Sequence, residues 1–323
     1  MITMTNNNNN NNPWDEMHSS SIRRIKNESI FDIFWFKDLD DSYGIRFLVG
    51  HLLEDIDKPI KLDGISIIKM NKPDKGELFL ILRDKEDLEL FTVLCKNLID
   101  LTRNYNSEKA MMKSLENRLI RWQKLLKEAR KKTFSTEKQM GLITELTCLK
   151  NIIAPRLGLS KAIIAWVGCE ADKQDFALEN LLIEVKSYRT TKGPNVNINS
   201  VLQLFSEKEP LYLITYGITK TLDGLNVDDL IISIREQLSE EPKNVLEEFD
   251  NKLYDFGYIP ELIDNELDRF SFDKIKTYYV SKTFPVVDPR ILKSEIFNLK
   301  YSLDLTDCQN HIVELNSIFK AND

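Results

Sequence analysis

The tripeptide Glu184-Val185-Lys186 places an acid and a lysine directly after the apolar run Leu181-Leu182-Ile183. Because side chains of a strand alternate between its two faces, Glu184 and Lys186 project from the same side. The same acid-any-lysine spacing occurs at Glu241-Pro242-Lys243 and Asp250-Asn251-Lys252, but both of those lie in polar segments. Only at 184 does the spacing end a buried strand, where a carboxylate can bind a metal ion beside a lysine that acts on water.

A second acid, Asp175, lies in the preceding strand-like run from Gln174 to Leu178. If Glu179-Asn180 forms a two-residue hairpin turn, residue 177 pairs with 182 and Asp175 lies opposite Glu184. Like charges at opposed positions, with Cβ atoms about 5 Å apart, repel each other and favour a cation between them. Mg²⁺ or Mn²⁺ suits two carboxylates completed by water and phosphate oxygens. A longer turn would shift this register.

A third acid, Glu145, lies on an apolar helical stripe, with Gly141, Leu142, Cys148 and Leu149 one turn away. An ionised carboxylate beside such neighbours is costly unless a cation compensates it. Two interpretations follow. Glu145 binds the metal ion directly or through water, or it forms a buried ion pair with Lys186 and has a structural role.

Together these residues predict hydrolysis of a phosphodiester bond. Asp175, Glu184 and Glu145 would hold the metal ion, which activates a water molecule and polarises the phosphate. Lys186 would orient and help deprotonate that water, or stabilise the developing charge. Supporting roles are predicted for Gln203 and Ser187, and DNA contacts for Arg189, Lys192, Arg118 and Arg121.

Composition excludes several classes of function and several kinds of site. A net charge of −7 argues against a protein that coats nucleic acid nonspecifically. The three histidines are scattered and no zinc pattern exists, so carboxylates and lysines must carry any catalysis. Four separated cysteines in apolar stretches suit reduced thiols. With no apolar run near the roughly 20 residues of a membrane helix, and no signal peptide at the start, we expect a cytoplasmic protein without a membrane segment.

The elements that must position these residues follow the order αβββαβ. We predict a helix ending near Ile153, before Pro155 and Gly158, then a buried strand from Ala162 to Val167. The two strands of the hairpin follow, then a helix from Asn197 to Phe205 and a strand from Leu211 to Tyr216. This order predicts a mixed α/β (α+β) fold with a central sheet flanked by helices.

Four segments are expected along the chain. Residues 1–21 form a disordered tail, 22–132 a small α+β module, 133–220 the catalytic core, and 221–323 a C-terminal extension that packs on the core. The module ends in a basic helix, in which Lys113 to Lys132 contain eight Lys or Arg against two Glu. This charge favours a solvated helix face over a DNA contact. An interaction module built on residues 87–132, with structural carboxylates, is one alternative function.

The order of these motifs resembles the PD-(D/E)XK nuclease superfamily, whose core is α-β-β-β-α-β. The segments that carry the resemblance are Glu145 in a helix, Gln174-Asp175-Phe176 and Ile183-Glu184-Val185-Lys186-Ser187. Over roughly residues 80 to 310, the chain is similar to a bacterial family of PD-(D/E)XK motif proteins. That closer likeness lies in Gly141 to Leu146, Ala165-Trp166-Val167-Gly168, Asp175-Phe176, Leu211-Tyr212-Leu213 and Tyr301 to Leu305. One departure is Gln174, where the superfamily motif has Pro.

The resemblance implies a restriction-endonuclease-like fold and a Mg²⁺-dependent DNA endonuclease. It also implies action in restriction or phage defence, beside a DNA methyltransferase and an ATPase. The main alternative is a catalytically silent DNA-binding or scaffold subunit of a restriction complex. The intact Asp175, Glu184 and Lys186 argue for the catalytic interpretation.

Overall fold

The computed structural model describes residues 12–26, 29–54, 60–129, 134–170, 174–207, 209–260, 263, 265–293, 295–296 and 298–319. The chain divides into two compact units, Met1–Lys131 and Lys132–Asp323. The second unit contains both the predicted catalytic core and the predicted C-terminal extension. None of the helices in the described ranges combines the length and the apolar character needed to cross a bilayer.

The first unit is an antiparallel five-stranded sheet with two helices. Its strand order is β1-β2-β3-β5-β4. The elements are β1 (Ser21–Arg24), β2 (Asp32–Lys37), β3 (Tyr43–Val49), β4 (Ile65–Lys72), β5 (Lys75–Leu82), α1 (Leu88–Thr102) and α2 (Glu108–Ala129). Burial alternates along β3, where Ile45, Phe47 and Val49 are inside, as expected for a sheet with one face in the core.

The expectation of a disordered tail over residues 1–21 is wrong for residues 12–21. Trp14 is fully buried, and its indole N–H donates to the carbonyl oxygen of Gly44 at 3.0 Å. The ring also stacks on Phe91 of α1, with centroids 5.5 Å apart. A single large aromatic side chain therefore anchors this polar segment. Residues 1–11 lie outside the described part of the chain.

The second unit contains a mixed five-stranded sheet in the order β12-β10-β9-β7-β6, and a separate pair, β8 and β11. Its strands are β6 (Phe176–Ala177), β7 (Leu182–Arg189), β8 (Asn195–Ile198), β9 (Leu211–Leu225), β10 (Phe270–Tyr279), β11 (Tyr301–Asp304) and β12 (Ile312–Val313). Its helices are α3 (Thr136–Cys148), α4 (Ala154–Leu157), α5 (Leu159–Ala165), α6 (Val227–Leu238) and α7 (Lys243–Phe256). Strands β7 and β9 are parallel, and the other pairs of this sheet are antiparallel.

Both faces of strand β7 are covered. Ile183 and Val185 point into a core that α3 and α6 share, while Leu213 of β9 and Tyr188 belong to a second cluster on the other side. Helix α3 is capped by Ser135, whose hydroxyl oxygen accepts from the N–H of Lys138. Glu184 within β7 is fully buried between these layers, whereas Arg189 at the end of the strand is exposed.

The predicted mixed α/β (α+β) fold class is confirmed. The predicted strand from Ala162 to Val167 is wrong, however, because residues 159–165 form helix α5. Lys161 and Ile164 are exposed while the residues between them are buried, which is a helical period. The apolar run is short enough to fit either a buried strand or a helix. Trp166, after the end of the helix, forms an isolated bridge to Phe176 of the sheet.

The predicted helix from Asn197 to Phe205 is also wrong. Residues 195–198 form strand β8, which pairs with β11 more than 100 residues later, and a 3-10 turn follows at Val201–Leu204. Val196 and Ile198 are buried while Asn195 and Asn197 are exposed, so burial here has the period of a strand. The pairing partner is too distant for local periodicity to reveal.

The segment predicted as a C-terminal extension supplies part of the central sheet. Strand β10 pairs with residues 212–220 of β9, and β12 pairs with β10. The predicted closing helix near 310–319 is instead β12 followed by a 3-10 turn at Leu315–Phe319. The sheet that carries the candidate site thus extends well beyond residue 220.

Candidate active site

The acid and lysine of strand β7 form a buried pair. Glu184 is fully buried, and Lys186 Nζ donates to Glu184 Oε1. Only 15 % of the Lys186 side chain is exposed. The second carboxylate oxygen, Glu184 Oε2, is buried and has no hydrogen-bond partner among the described residues. A buried oxygen without a partner is costly, and it marks a position where a bound cation or water would be favoured.

Asp175 lies at the start of the hairpin, in the register that the sequence predicted. Residue 176 pairs with 183 and 177 with 182, and Leu178 N donates to Leu181 O at 3.0 Å. The next pair outward is Asp175 with Glu184. Asp175 Oδ2 accepts from the N–H of Val185 at 2.7 Å. The carboxylate thus accepts from a backbone N–H of β7 just before β6 begins, and this hydrogen bond fixes its position beside β7.

The Trp166–Gly168 segment approaches Asp175 from the other side. The N–H groups of Val167 and Gly168 both donate to the backbone carbonyl of Asp175, at 2.9 and 3.0 Å. A Cβ on Gly168 would lie 2.5 Å from Asp175 Oδ1. Only glycine therefore permits this close approach. Local sequence reasoning identified this segment as part of the family resemblance but assigned it no role.

Glu145 reaches the site from helix α3. It is 8 % exposed, and its Oε2 accepts from the indole N–H of Trp166 at 2.7 Å. The sequence offered Lys186 as its structural partner, but the hydrogen bond that the structure contains is to Trp166. No group of three or more His, Cys, Asp or Glu within the described ranges is arranged to hold a metal ion. Glu145 is therefore not placed as a third direct ligand beside Asp175 and Glu184.

The charges of Glu145, Asp175, Glu184 and Lys186 act on one another's pKa values. Burial, and next the charge of Asp175, raise the pKa of Glu145 well above its usual range. The same two causes raise the pKa of Glu184 to about 8. Burial also raises the pKa of Asp175, although the Lys186 ammonium and the Val185 N–H oppose it. Burial alone would lower the pKa of Lys186, but the carboxylates of Glu184 and Asp175 outweigh burial and raise it.

One ammonium cannot neutralise three carboxylates. With all four groups ionised, the site carries a net charge of −2. Without a further cation, protons must supply part of the missing positive charge, which is why the pKa values of the acids rise. A divalent cation would remove the same imbalance.

The predicted supporting residues act elsewhere. Gln203 Oε1 accepts from the backbone N–H of Asn199 at 2.9 Å, so its side chain closes its own turn. Ser187 lies on the opposite face of β7 from Lys186, and its hydroxyl donates to the Met140 carbonyl oxygen at 3.5 Å. Each side chain is thus hydrogen-bonded to a backbone group, that of Gln203 within its own turn and that of Ser187 on helix α3, and not to a carboxylate of the site.

Gln174 supports the site in a way that sequence reasoning missed. It is 6 % exposed, and its Nε2 donates to the carbonyl oxygens of Leu202 and Phe205, at 2.7 and 3.1 Å. This side chain ties the residue before Asp175 to the turn that precedes β9. Proline in its place, as in the superfamily motif, would lack these donors. The one indication of this role in the sequence was that Gln174 stands where the superfamily motif has Pro.

The predicted DNA contacts separate into exposed and buried residues. Arg189 and Lys192 are exposed at the end of β7, and Arg189 forms a 3.4 Å ion pair with Glu137. In the first unit, Arg118 is only 4 % exposed and donates to Asn97 Oδ1 at 3.1 Å. The prediction of a DNA contact at Arg118 is thus wrong, because the guanidinium is buried against α1. Arg121 of the same helix is half-buried.

A comparison with protein families identifies one match. The family profile "Putative PD-(D/E)XK family member, (DUF4420)" matches residues 10–306, which is most of the chain. No curated protein and no solved structure matches this sequence.

Proposed function

The chain belongs to the PD-(D/E)XK family that this profile describes, and we propose that it is a Mg²⁺- or Mn²⁺-dependent endonuclease that hydrolyses phosphodiester bonds in DNA. The observation that carries the proposal is the buried group formed by Asp175, Glu184 and Lys186 where strand β6 begins beside β7. Its charge of −2 with all groups ionised, including Glu145, matches one divalent cation.

The donor atoms suit a hard divalent ion. Glu184 Oε2 is buried and has no partner in the described ranges, and the carboxylate of Asp175 lies in the next pair of the hairpin. Mg²⁺ is commonly held by one or two protein carboxylates, with water and substrate phosphate completing its coordination. Asp175 and Glu184 would hold the ion, and a third direct ligand is not required.

When bound, the ion would supply an activated water molecule and polarise the scissile phosphate. Lys186, held in place by its contact with Glu184, would orient the attacking water and offset negative charge as it develops. Glu145, which accepts a hydrogen bond from the Trp166 indole, would act on the metal ion through its negative charge and through a bridging water molecule. Arg189 and Lys192 would bind backbone phosphates beyond the end of β7.

The biological setting is part of the same proposal. The family resemblance supports a role in restriction or phage defence, with a DNA methyltransferase and an ATPase as partners. The four described cysteines are free and buried, which suits a cytoplasmic protein with reduced thiols.

Cleavage of supercoiled plasmid DNA tests the activity. We expect wild-type protein to nick or linearise the plasmid with Mg²⁺ or Mn²⁺ and to be inactive with EDTA. Lys186→Ala should be inactive, and Lys243→Ala is the matched control. Lys243 belongs to the same acid-any-lysine pattern but is exposed at the start of α7. Loss of activity in both variants, or in neither, would contradict the proposed role of Lys186.

DNA binding without cleavage in both metals would favour the scaffold alternative. The ion-pair alternative is tested by thermal melting of Glu184→Gln without metal. If the carboxylates were a stabilising ion-pair network, this change would lower Tm, because it removes the charged partner of Lys186. We expect Tm to be unchanged or higher, because the substitution removes one of several mutually repelling charges.

A further inference from the structure

A short segment after helix α5, Trp166-Val167-Gly168, contacts two of the three acids of the site. The indole N–H of Trp166 donates to Glu145 Oε2 at 2.7 Å, and both residues are buried. Two residues later, the backbone lies against Asp175. One three-residue segment thus connects the acid on α3 to the acid at the start of the hairpin.

The contact with Asp175 is made by the backbone and is very close. Val167 N and Gly168 N both donate to the Asp175 carbonyl oxygen, and the Trp166 backbone bridges to Phe176. A Cβ on residue 168 would lie 2.9 Å from Asp175 Cα as well as 2.5 Å from its Oδ1. Any side chain at 168 would therefore push the Asp175 carboxylate away from its position beside Val185 N.

The segment is itself held by a buried lysine of helix α7. Lys252 is 2 % exposed, and its Nζ donates to the carbonyl oxygen of Trp166 at 2.6 Å and that of Ile164 at 3.5 Å. Glu248 Oε1, one turn earlier on α7, lies 3.8 Å from the same ammonium. Burying an ammonium group is costly unless it is hydrogen-bonded, so these carbonyl oxygens help to fix Lys252, and Lys252 in turn restrains them.

We propose that Trp166, Gly168 and Lys252 are positioning residues, which hold Asp175 in place as a direct ligand of the metal ion and Glu145 in place as an acid that acts on the ion through water. The inference rests on the proposed function, which it extends by three residues outside the catalytic set. Partners that orient metal-binding carboxylates typically change metal affinity by about 10- to 100-fold when they are mutated. Core packing alone would not produce such an effect.

Equilibrium binding of Mn²⁺ in the absence of DNA tests this role, with calorimetry as the readout. The variants are Trp166→Phe, which keeps the aromatic ring but removes the N–H donor, Gly168→Ala, and Lys252→Met. We expect each to weaken Mn²⁺ binding by about 10- to 100-fold. Plasmid cleavage should fall in parallel.

Two variants serve as matched controls in the same unit. A Cβ on Gly141 of α3 would make only an ordinary contact, 3.6 Å from Phe256 Cζ, so Gly141→Ala controls for the glycine substitution. Lys150 donates to Ser233 Oγ at 2.5 Å, so Lys150→Met removes a similar lysine contact away from the acids. Both controls should bind Mn²⁺ as the wild type does.

Melting temperatures separate positioning from stability. If Lys252→Met or Gly168→Ala does not fold, Trp166→Phe still tests the inference, because phenylalanine keeps an aromatic ring in the same buried position. The inference is overturned if folded variants bind Mn²⁺ as tightly as the controls, while wild-type protein still binds metal and cleaves DNA. Wild-type protein that neither binds Mn²⁺ nor cleaves DNA would overturn the proposed function, and this inference with it.

Discussion

Asp175 has two roles, so substitutions at this position should differ in how much they lower the stability of the protein. Its carboxylate is proposed to bind the metal ion, and its Oδ2 also accepts from the buried N–H of Val185. Asp175→Ala would remove both roles at once, because alanine cannot bind a metal ion and would leave the Val185 N–H without its acceptor.

We therefore predict that Asp175→Ala lowers the free energy of unfolding by about 1–3 kcal/mol, the cost of an unsatisfied buried donor. Asp175→Asn keeps an oxygen that can accept from Val185 N, so it should lose less stability. Both variants should lose cleavage. Urea denaturation compares the two stabilities, and equal losses would argue against this role of the hydrogen bond.

Glu184 makes the stability of the metal-free protein depend on pH. Its pKa is about 8 in the folded protein against an ordinary value of 4.5. Between these values the folded state retains a proton that the unfolded state has lost. The stability from this group is thus fully present below its ordinary pKa and is lost as pH rises through the folded pKa.

We predict that Tm of the wild type, measured in EDTA, falls from pH 5 towards pH 8 more steeply than Tm of Glu184→Gln. The variant has no proton to lose at this position, so the difference between the two curves isolates Glu184. Saturating Mg²⁺ should flatten the wild-type curve, because the metal binds the ionised carboxylate. Parallel curves for the two proteins would show that the proton is held elsewhere.

At the scale of elements, the path from α3 to the site depends on a sharp change of direction at Gly158. This residue links α4 to α5 with φ +81° and ψ 153°, a conformation that is essentially restricted to glycine. No atom of the described residues lies within 4 Å of an added Cβ. The cost of a side chain at this position is therefore backbone strain alone.

We predict that Gly158→Ala lowers the free energy of unfolding by about 1–3 kcal/mol through this strain. Gly141→Ala, in the interior of α3, should have no such cost, because alanine favours the helix over glycine. Chemical denaturation of both variants measures the contrast. Comparable stability in the two variants would mean that the turn at Gly158 relaxes.

At the scale of the whole molecule, a net charge of −7 restricts where the proposed DNA substrate could bind. Under the proposed function, binding would rely on local groups such as the exposed Arg189 and Lys192, because the net charge of the chain repels phosphate. Each phosphate contact that is lost should lower the slope of log K against log salt by about 1.

We predict that the double variant Arg189→Ala/Lys192→Ala lowers this slope by about 2 and weakens binding to all DNA sequences alike. Lys243→Ala should leave the slope unchanged, because Lys243 lies on a different surface element, at the start of α7. Fluorescence anisotropy across a salt series gives the slopes. An unchanged slope in the double variant would place the DNA contact on other residues.

Local periodicity was enough to predict the relation between Asp175, Glu184 and Lys186. Alternation along β7 and a two-residue turn relate residues that are at most eleven positions apart, so nearby chain geometry settles which of them face each other. Helix α6, residues 227–238, is equally local, because its amphipathic pattern follows directly on the capping residue Asn226. These features depend on few contacts with distant parts of the chain.

Contacts between distant segments determined the rest. Trp166 rather than Lys186 is the hydrogen-bond partner of Glu145, and Lys252 restrains Trp166 from 86 positions away. Residues 195–198 form a strand because they pair with β11, although the sequence pattern predicted a helix from residue 197. Arg118 is buried because its guanidinium packs against α1. A sequence pattern shows which side chains share a face, but burial and hydrogen-bond partners depend on what packs against that face.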